Sequence, residues 1–321
     1  NTTGYSLNAL VDYSDPVDVL LHLLIGSEGT LAFISRITYQ TVPEDPCKAS
    51  ALIFFPDIAT ACQAVVRLKT QLVSAVELLD RAALRSVEDK TGLPPVIRSL
   101  GESAAALLVE VRSPEPIGLQ TRIDGALATI AGLPTVEPAS FSTDPQTCDM
   151  YWKVRKGTFP SVGAMRRAGT TVIIEDVAFP IASLAEATLD LQALFKRHGY
   201  HEAIIFGHAL EGNLHFVFTQ DFGDPAEIQR YAGFMDEVCH LVVRKYDGSL
   251  KAEHGTGRNM APFVELEWGQ QATALMRQIK ALFDPDNLLN PGVIINDDPA
   301  AHLQHLKPMP PAEDLVDRCI E

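Results

Sequence analysis

Residues 203–218 read AIIFGHALEGNLHFVF, and this stretch decides the fold. Two apolar runs, residues 203–206 and 214–218, flank a short loop that contains glycine. Short apolar runs bounded by turn residues are typical of buried strands. The stretch therefore predicts a β-hairpin, with His208 and His215 near the two ends of its loop.

The segments around this hairpin repeat one order of elements. Periodicity predicts strands at residues 50–55, 74–79, 105–111, 170–179, 202–206, 213–219 and 249–253. It predicts helices at residues 57–72, 117–131, 183–198 and 225–246, with a short extended piece after Pro134. Two β-α-β-β-α-β units in series, the first with one insertion, predict an α+β fold with an antiparallel sheet and flanking helices.

The remaining segments lie outside this repeat. Residues 17–25 predict a helix and residues 31–42 a strand-like segment, after which Pro43 and Pro46 mark a boundary. We expect a polar helix around Trp152. A last helix at residues 268–283 should end before Asp284-Pro285, because proline cannot continue the helical hydrogen bonds.

Composition excludes several classes of protein. Lys and Arg total 26 against 41 Asp and Glu, so the net charge of 26 − 41 = −15 argues against a nucleic-acid partner. No apolar stretch is long enough to predict a membrane span. Five widely spaced cysteines fit a reducing compartment, which predicts a cytoplasmic location. A small anionic substrate remains compatible with local arginines.

Two histidines and one glutamate are candidate metal ligands. His208 and His215 bracket the hairpin loop, and imidazole is a common ligand of divalent metals. The best third candidate is Glu253, which stands in the sequence KAEHGTG at residues 251–257. Two histidines seven residues apart are also common as plain polar loop residues, so spacing leaves both interpretations open.

Two further side chains suit acid–base or anion chemistry. His254 follows Glu253, and an imidazole can accept a proton near neutral pH. Arg155 could hold a substrate carboxylate through the paired donors of its guanidinium. A capped structural turn at His254 and a solvated helix face at Arg155 are the alternatives.

Residues 26–30 read GSEGT and precede the strand-like segment. Small residues with successive main-chain N–H groups suit a loop that approaches phosphate or ribityl oxygens closely. The loop lacks the ending of a Walker motif and the spacing of a dinucleotide fingerprint.

Taken in order, five motifs resemble one family. They are NTTGY at residues 1–5, IGSEGTL at 25–31, GHALEGNLH at 207–215, AEHGTG at 252–257, and FDP at 283–285 with LNPG at 289–292. The set resembles the FAD-linked D-2-hydroxyacid dehydrogenases, which are flavoproteins of the vanillyl-alcohol-oxidase type. This family includes D-lactate and D-2-hydroxyglutarate dehydrogenases and the D subunit of glycolate oxidase.

The resemblance implies a domain organisation. Residues 1–44 correspond to the C-terminal part of a FAD-binding domain, and residues 46–296 to the FAD-linked oxidase C-terminal domain, also called the cap or substrate domain. Residues 297–321 correspond to a linker toward an iron–sulfur module, with Cys319 as its first cluster ligand; a stray thiol is the alternative for Cys319. We therefore expect this chain to be a fragment that, in isolation, binds FAD poorly and is inactive.

The resemblance also implies roles for residues. His208, His215 and Glu253 match the ligands of a divalent metal, zinc or manganese, while His254 matches the base and Arg155 the arginine for the substrate carboxylate. The matching cofactor-binding residues are Thr3, Gly4, Tyr5, Gly26, Ser27, Glu28, Gly29, Thr30 and Asn290.

The implied reaction is oxidation of a small D-2-hydroxy acid to the 2-oxo acid by hydride transfer to FAD. Val217 stands where related D-2-hydroxyglutarate enzymes carry a substrate-contacting asparagine, so D-lactate and D-2-hydroxyglutarate both remain candidate substrates. The electron acceptor is not indicated, and a membrane-peripheral location through that acceptor stays an alternative. A metal-dependent hydrolase and a non-catalytic binding module are the competing functions.

Overall fold

Six strands form one sheet in the computed structural model, which describes residues 2–308. They are β1 (Cys47–Phe55), β2 (Ala75–Leu79), β3 (Ala105–Ser113), β4 (Thr171–Ala178), β5 (Ile204–His208) and β6 (Asn213–Gln220). Their order in the sheet is β1-β3-β2-β5-β6-β4. The pairings β1–β3, β3–β2, β2–β5 and β5–β6 are antiparallel. The predicted α+β class with an antiparallel sheet is confirmed.

Ten α-helices accompany the sheet in the described residues. They are α1 (Ala9–Asp12), α2 (Pro16–Leu24), α3 (Ile58–Leu68), α4 (Arg81–Arg85), α5 (Pro116–Ile130), α6 (Pro145–Met165), α7 (Leu184–Arg197), α8 (Pro225–His240), α9 (Gly257–Met260) and α10 (Val264–Phe283). Aspartates begin several of them: the carboxylates of Asp57 and Asp144 accept main-chain N–H bonds at the starts of α3 and α6. Within residues 2–308, no helix combines the length and the apolar content that a transmembrane segment requires.

The described residues divide into two compact units. Unit 1 comprises residues 2–41, 175–178 and 235–306, and unit 2 comprises residues 42–174, 179–234 and 307–308. In unit 2 the alternation of side chains along the strands supplies two apolar faces. Phe54 packs with Val154 of α6, whereas Ala49 packs with Leu119 of α5. The core of unit 1 is built around Tyr5 and other apolar side chains of that unit: Leu31, Met276 and Ile294.

The prediction of a strand at residues 31–42 was wrong. Residues 33–45 form no regular element, and apolar side chains such as Phe33 and Tyr39 are exposed. The apolar alternation is present in the sequence, but a strand also needs a neighbour to satisfy its main-chain groups. No strand within residues 2–308 pairs with this segment.

The strand predicted at residues 249–253 was also wrong, and the short extended piece predicted after Pro134 bonds to β1 only at isolated positions. Ser249 makes a single bridge to Ala178, and Ser142 makes a single bridge to Ser50. After Ser249 the chain turns, because the main-chain N–H groups of residues 252–254 bond to a side-chain carboxylate instead of to a strand. Each repeat therefore contributes three strands to the sheet.

Candidate functional site

In unit 2 the hairpin of β5 and β6 brings the two loop histidines together. The rings of His208 and His215 meet edge to face with centroids 5.4 Å apart. One ring nitrogen of each lies within 4.8 Å of the other. Gly212 closes the loop with a φ of +65°, and a Cβ there would stand 2.0 Å from the carbonyl oxygen of Phe179. The tight hairpin predicted from the sequence is thus present, and only glycine fits its turn.

A buried carboxylate of strand β2 contacts two of the predicted site residues. Glu77 is the cross-strand partner of His208 in the β2–β5 pairing. Its Oε1 lies 2.6 Å from Nδ1 of His208, and its Oε2 accepts a hydrogen bond of 2.6 Å from Nε of Arg155. Because an ionised carboxylate only accepts hydrogen bonds, Nδ1 of His208 carries the proton. In the neutral form of that imidazole the lone pair is then on Nε2, the nitrogen suited to bind a metal.

The charge of Glu77 is stabilised by these neighbours. Burial alone would raise the pKa of Glu77, but the hydrogen bond from His208 and the charge of Arg155 outweigh it, so the pKa lies below its ordinary value. The carboxylate is therefore ionised at neutral pH.

Arg155 projects from α6 and is held on two sides. Its guanidinium lies over the ring of Phe206, with its central carbon 4.3 Å from the ring centroid, and its Nε is bonded to Glu77. One turn earlier, Nε1 of Trp152 donates to Glu110 at 2.8 Å. The alternative that Arg155 lies on a solvated helix face is thus excluded, because its side chain is largely buried and ion-paired.

In unit 1 a second buried carboxylate shapes the turn that carries Glu253 and His254. Oδ2 of Asp176 accepts the main-chain N–H groups of Ala252, Glu253 and His254 at 3.0, 2.7 and 3.2 Å. Oδ1 lies 3.4 Å from Nδ1 of His254. The same aspartate therefore sets the main chain of the turn and faces the ring of its histidine.

Lys251 completes this buried charged cluster. Its Nζ lies 3.0 Å from Glu175 and 2.8 Å from Asp176. Burial would raise the pKa of Asp176, but the charge of Lys251 and the donated hydrogen bonds outweigh it and lower that pKa. Burial would likewise lower the pKa of Lys251, yet the two carboxylates raise it above the ordinary value. Asp176 and Lys251 are therefore both charged at neutral pH.

The predicted cofactor residues near the N-terminus serve unit 1 as buried structural contacts. The hydroxyl of Tyr5 is hydrogen-bonded to Oγ1 of Thr30 at 2.7 Å, and Thr30 in turn donates to the carbonyl of Ser27. Oγ1 of Thr3 accepts the N–H of Lys251 at 3.0 Å. The main-chain N–H of Gly4 donates to Thr256. These contacts place the NTTGY motif beside the turn that follows His254.

The GSEGT loop presents main chain rather than side chains. Gly26 and Gly29 are exposed, and a Cβ at either would meet no atom within 4 Å. The carboxylate of Glu28 accepts the N–H of Gly257 at 3.1 Å, while its carbonyl accepts a bond of 2.8 Å from Nδ2 of Asn290. Burial raises the pKa of the Glu28 carboxyl group, although the hydrogen bond from the N–H of Gly257 acts to lower it. Glu28 thus links three of the predicted motifs.

Sequence reasoning missed Glu77 and the roles of Asp176 and Lys251. A signal for Glu77 existed, because one carboxylate interrupts the apolar run AVELL of β2, and a buried charge requires partners. Lys251 carried no such signal, since lysine at the edge of a turn is ordinary. Cys319, the predicted cluster ligand, lies outside the described residues.

Comparison with known proteins gives one family. The family model "FAD linked oxidases, C-terminal domain" matches residues 45–294. The glycolate oxidase subunit GlcD of Bacillus subtilis is 29% identical over 85% of this chain and 56% of its own length. A D-lactate dehydrogenase of Archaeoglobus fulgidus is 31% identical over 92% and 59%. A D-2-hydroxyglutarate dehydrogenase of Pantoea ananatis is 30% identical over 94% and 30%.

A solved structure shares the fold at low identity. The 4-ethylphenol oxidase from Gulosibacter chungangensis aligns with a TM-score of 0.58 and 16% identity, over 80% of this chain and 56% of that one. The chain spans about half the length of the first curated relatives that it matches, with 56% of one and 47% of another.

Proposed function

Because the chain belongs to the FAD-linked oxidase family, through its C-terminal domain, we propose that it forms the substrate-oxidising part of a dehydrogenase for a small D-2-hydroxy acid. Relatives named for D-lactate, D-2-hydroxyglutarate and glycolate support this substrate class. The observation that carries the proposal is the contact between His208 and His215, with the tautomer of His208 set by the buried Glu77.

The donor set fits a divalent metal. Metal-binding histidines usually donate their second ring N–H to a carboxylate, which is the arrangement of His208 and Glu77. We propose His208, His215 and Glu253 as the ligands, since two imidazoles and a carboxylate suit zinc or manganese. A bound ion would lower the pKa of the substrate hydroxyl.

Arg155 and His254 are proposed to act on the substrate. The terminal nitrogens of Arg155 bind the carboxylate, while its Nε remains on Glu77 and keeps the guanidinium in one orientation. With the Nδ1 proton of His254 facing Asp176, Nε2 accepts the hydroxyl proton as the C2 hydrogen leaves as hydride. The imidazolium so formed is stabilised by the charge of Asp176.

FAD supplies the hydride acceptor when it is bound. The exposed main chain at Gly26 and Gly29 suits close approach by cofactor oxygens. We propose that the other residues of the cofactor site support this surface. They are Thr3, Gly4, Tyr5, Ser27, Glu28, Thr30 and Asn290. The domain boundaries, a cytoplasmic location and the iron–sulfur module remain predictions.

Two measurements test the proposal, one of metal binding and one of flavin reduction. Zinc and manganese binding to the full chain is measured by calorimetry for the wild type and for His208→Ala, His215→Ala and Glu253→Ala. Each substitution should weaken binding at least tenfold. In the full natural polypeptide that contains this chain, D-lactate or D-2-hydroxyglutarate should bleach the flavin absorbance. Hydrolysis of esters or amides without flavin reduction would instead support a hydrolase.

A further inference from the structure

We infer that Glu77 is a positioning residue that holds the metal-ligand histidine and the substrate arginine at once. One oxygen of its carboxylate fixes the tautomer of His208, and the other fixes Nε of Arg155. The inference rests on the proposed function for the roles of those two partners, but the contacts themselves are independent of it.

The backbone makes Glu77 rigid. It lies in the middle of β2, which is paired with β3 on one side and β5 on the other, and its side chain is about 5% exposed. Because His208 is its direct cross-strand partner, the two side chains lie on the same face of the sheet. Helix α6 brings Arg155 to the second oxygen. The β2–β5 ladder therefore fixes Glu77 relative to His208, and α6 places Arg155 against the same carboxylate.

Only a carboxylate can accept hydrogen bonds from both His208 and Arg155 at this position. Nε–H of Arg155 and Nδ1–H of His208 are both donors, so their common partner needs two acceptor oxygens. Glutamine has one acceptor oxygen and one donor NH₂ group. In Glu77→Gln, an NH₂ group facing the imidazole would move the histidine proton to Nε2, and an NH₂ group facing the guanidinium would repel Nε–H. Glutamine can serve either partner but not both.

The chain contains a matched control residue. Glu110 is a buried carboxylate of the neighbouring strand β3, and it also binds α6, through Nε1 of Trp152. Trp152 precedes Arg155 by three residues, so both glutamates anchor the same helix face. Glu110→Gln therefore removes a comparably buried charge, which is paired with Arg112 at 2.6 Å, without touching His208 or Arg155.

The test compares wild type, Glu77→Gln and Glu110→Gln as full chains. Nitrogen NMR of ¹⁵N-histidine protein reports which ring nitrogen of His208 carries the proton, with His208→Gln used for assignment. The ¹⁵Nε–H signal of Arg155 reports its hydrogen bond. Zinc affinity is measured in parallel by calorimetry.

We expect the Nδ1–H tautomer of His208 and a protected Arg155 Nε–H in the wild type. Glu77→Gln should change at least one of these signals and weaken zinc binding 10- to 100-fold, the usual effect of removing the partner of a metal-bound histidine. Glu110→Gln should leave both signals unchanged and zinc affinity within threefold.

Two results would overturn the inference. One is an unchanged pair of signals in Glu77→Gln, and the other is an equal change in Glu110→Gln, which would assign both carboxylates to helix packing alone. If wild type binds neither zinc nor manganese, the metal part of the proposed function fails. The NMR signals would then still decide the role of Glu77.

Discussion

Asp176 holds His254 at two points. Its Oδ2 accepts the main-chain N–H of His254 at 3.2 Å, and its Oδ1 lies 3.4 Å from the Nδ1 of the same residue. One buried carboxylate thus fixes the main chain of this histidine with one oxygen and faces its ring with the other. The ring itself is partly exposed, with a side-chain exposure of 38%.

This relationship separates the effects of two substitutions. His254→Ala in the full natural polypeptide should abolish flavin reduction by the hydroxy acid and change stability by less than about 1 kcal/mol, since a partly exposed side chain is removed. Asp176→Asn should instead destabilise the fold by roughly 3 kcal/mol, because it breaks a buried ion pair with Lys251. Stopped-flow flavin absorbance and urea unfolding measure the two effects. Wild-type rates of flavin reduction in His254→Ala would remove the proposed base.

Gly212→Ala should disrupt the histidine hairpin. The added Cβ would stand 2.0 Å from the carbonyl oxygen of Phe179, at a φ of +65° that alanine disfavours. We expect a loss of roughly 3 kcal/mol or more in the free energy of unfolding, measured with urea. Gly101→Ala is the control, because a Cβ there meets no atom within 4 Å, and it should change stability by less than about 0.5 kcal/mol. Equal effects of the two substitutions would contradict the assigned role of Gly212.

The buried carboxyl group of Asp80 should make the free energy of unfolding depend on pH. Burial raises the pKa of Asp80 to about 6 from 3.8, against the hydrogen bonds from Ala83 and Gln192. A carboxyl with a raised pKa in the folded state binds its proton more tightly there than in the unfolded chain. Its stability contribution is thus complete below the unfolded pKa and is lost as the pH rises through the folded pKa.

Asp80→Asn should remove this dependence. The penalty for the charged form at pH 7 is of the order of 3 kcal/mol, from a pKa difference of about two units. We therefore expect the variant to be more stable than wild type at pH 7.5, with the difference disappearing near pH 4. Urea unfolding at several pH values measures it. A stability difference that stays constant from pH 4 to 7.5 would show that Asp80 does not titrate in this way.

Tyr5→Phe tests whether the Tyr5 hydroxyl serves the fold rather than the cofactor. The hydroxyl is buried and bonded to Thr30, so its removal should cost about 1 kcal/mol of stability. FAD affinity of the full natural polypeptide should change less than twofold. Thr30→Val, which removes the partner hydroxyl, should lower stability at least as much. Tenfold weaker FAD binding in a normally stable Tyr5→Phe variant would instead assign the hydroxyl to the cofactor.

Local sequence was sufficient for most elements of the fold. Apolar periodicity predicted the hairpin of β5 and β6 and the helices that flank the sheet, because side-chain burial is the main determinant of those elements. It failed at residues 31–42 and 249–253, where the pattern of a strand is present. Whether such a segment becomes a strand depends on a pairing partner, which periodicity does not contain.

The candidate site, too, was predictable from the sequence in part and visible only in the tertiary structure in part. Residue types and ordered motifs identified His208, His215, Glu253 and His254 as chemically competent side chains, and they indicated the family that the comparison confirms. The proton position on His208 was decided by Glu77, and the path of the main chain at His254 by Asp176, each distant in sequence from the residue it binds. A hydrogen bond between residues 131 positions apart exists only after the strands have paired, so only the tertiary structure could reveal it.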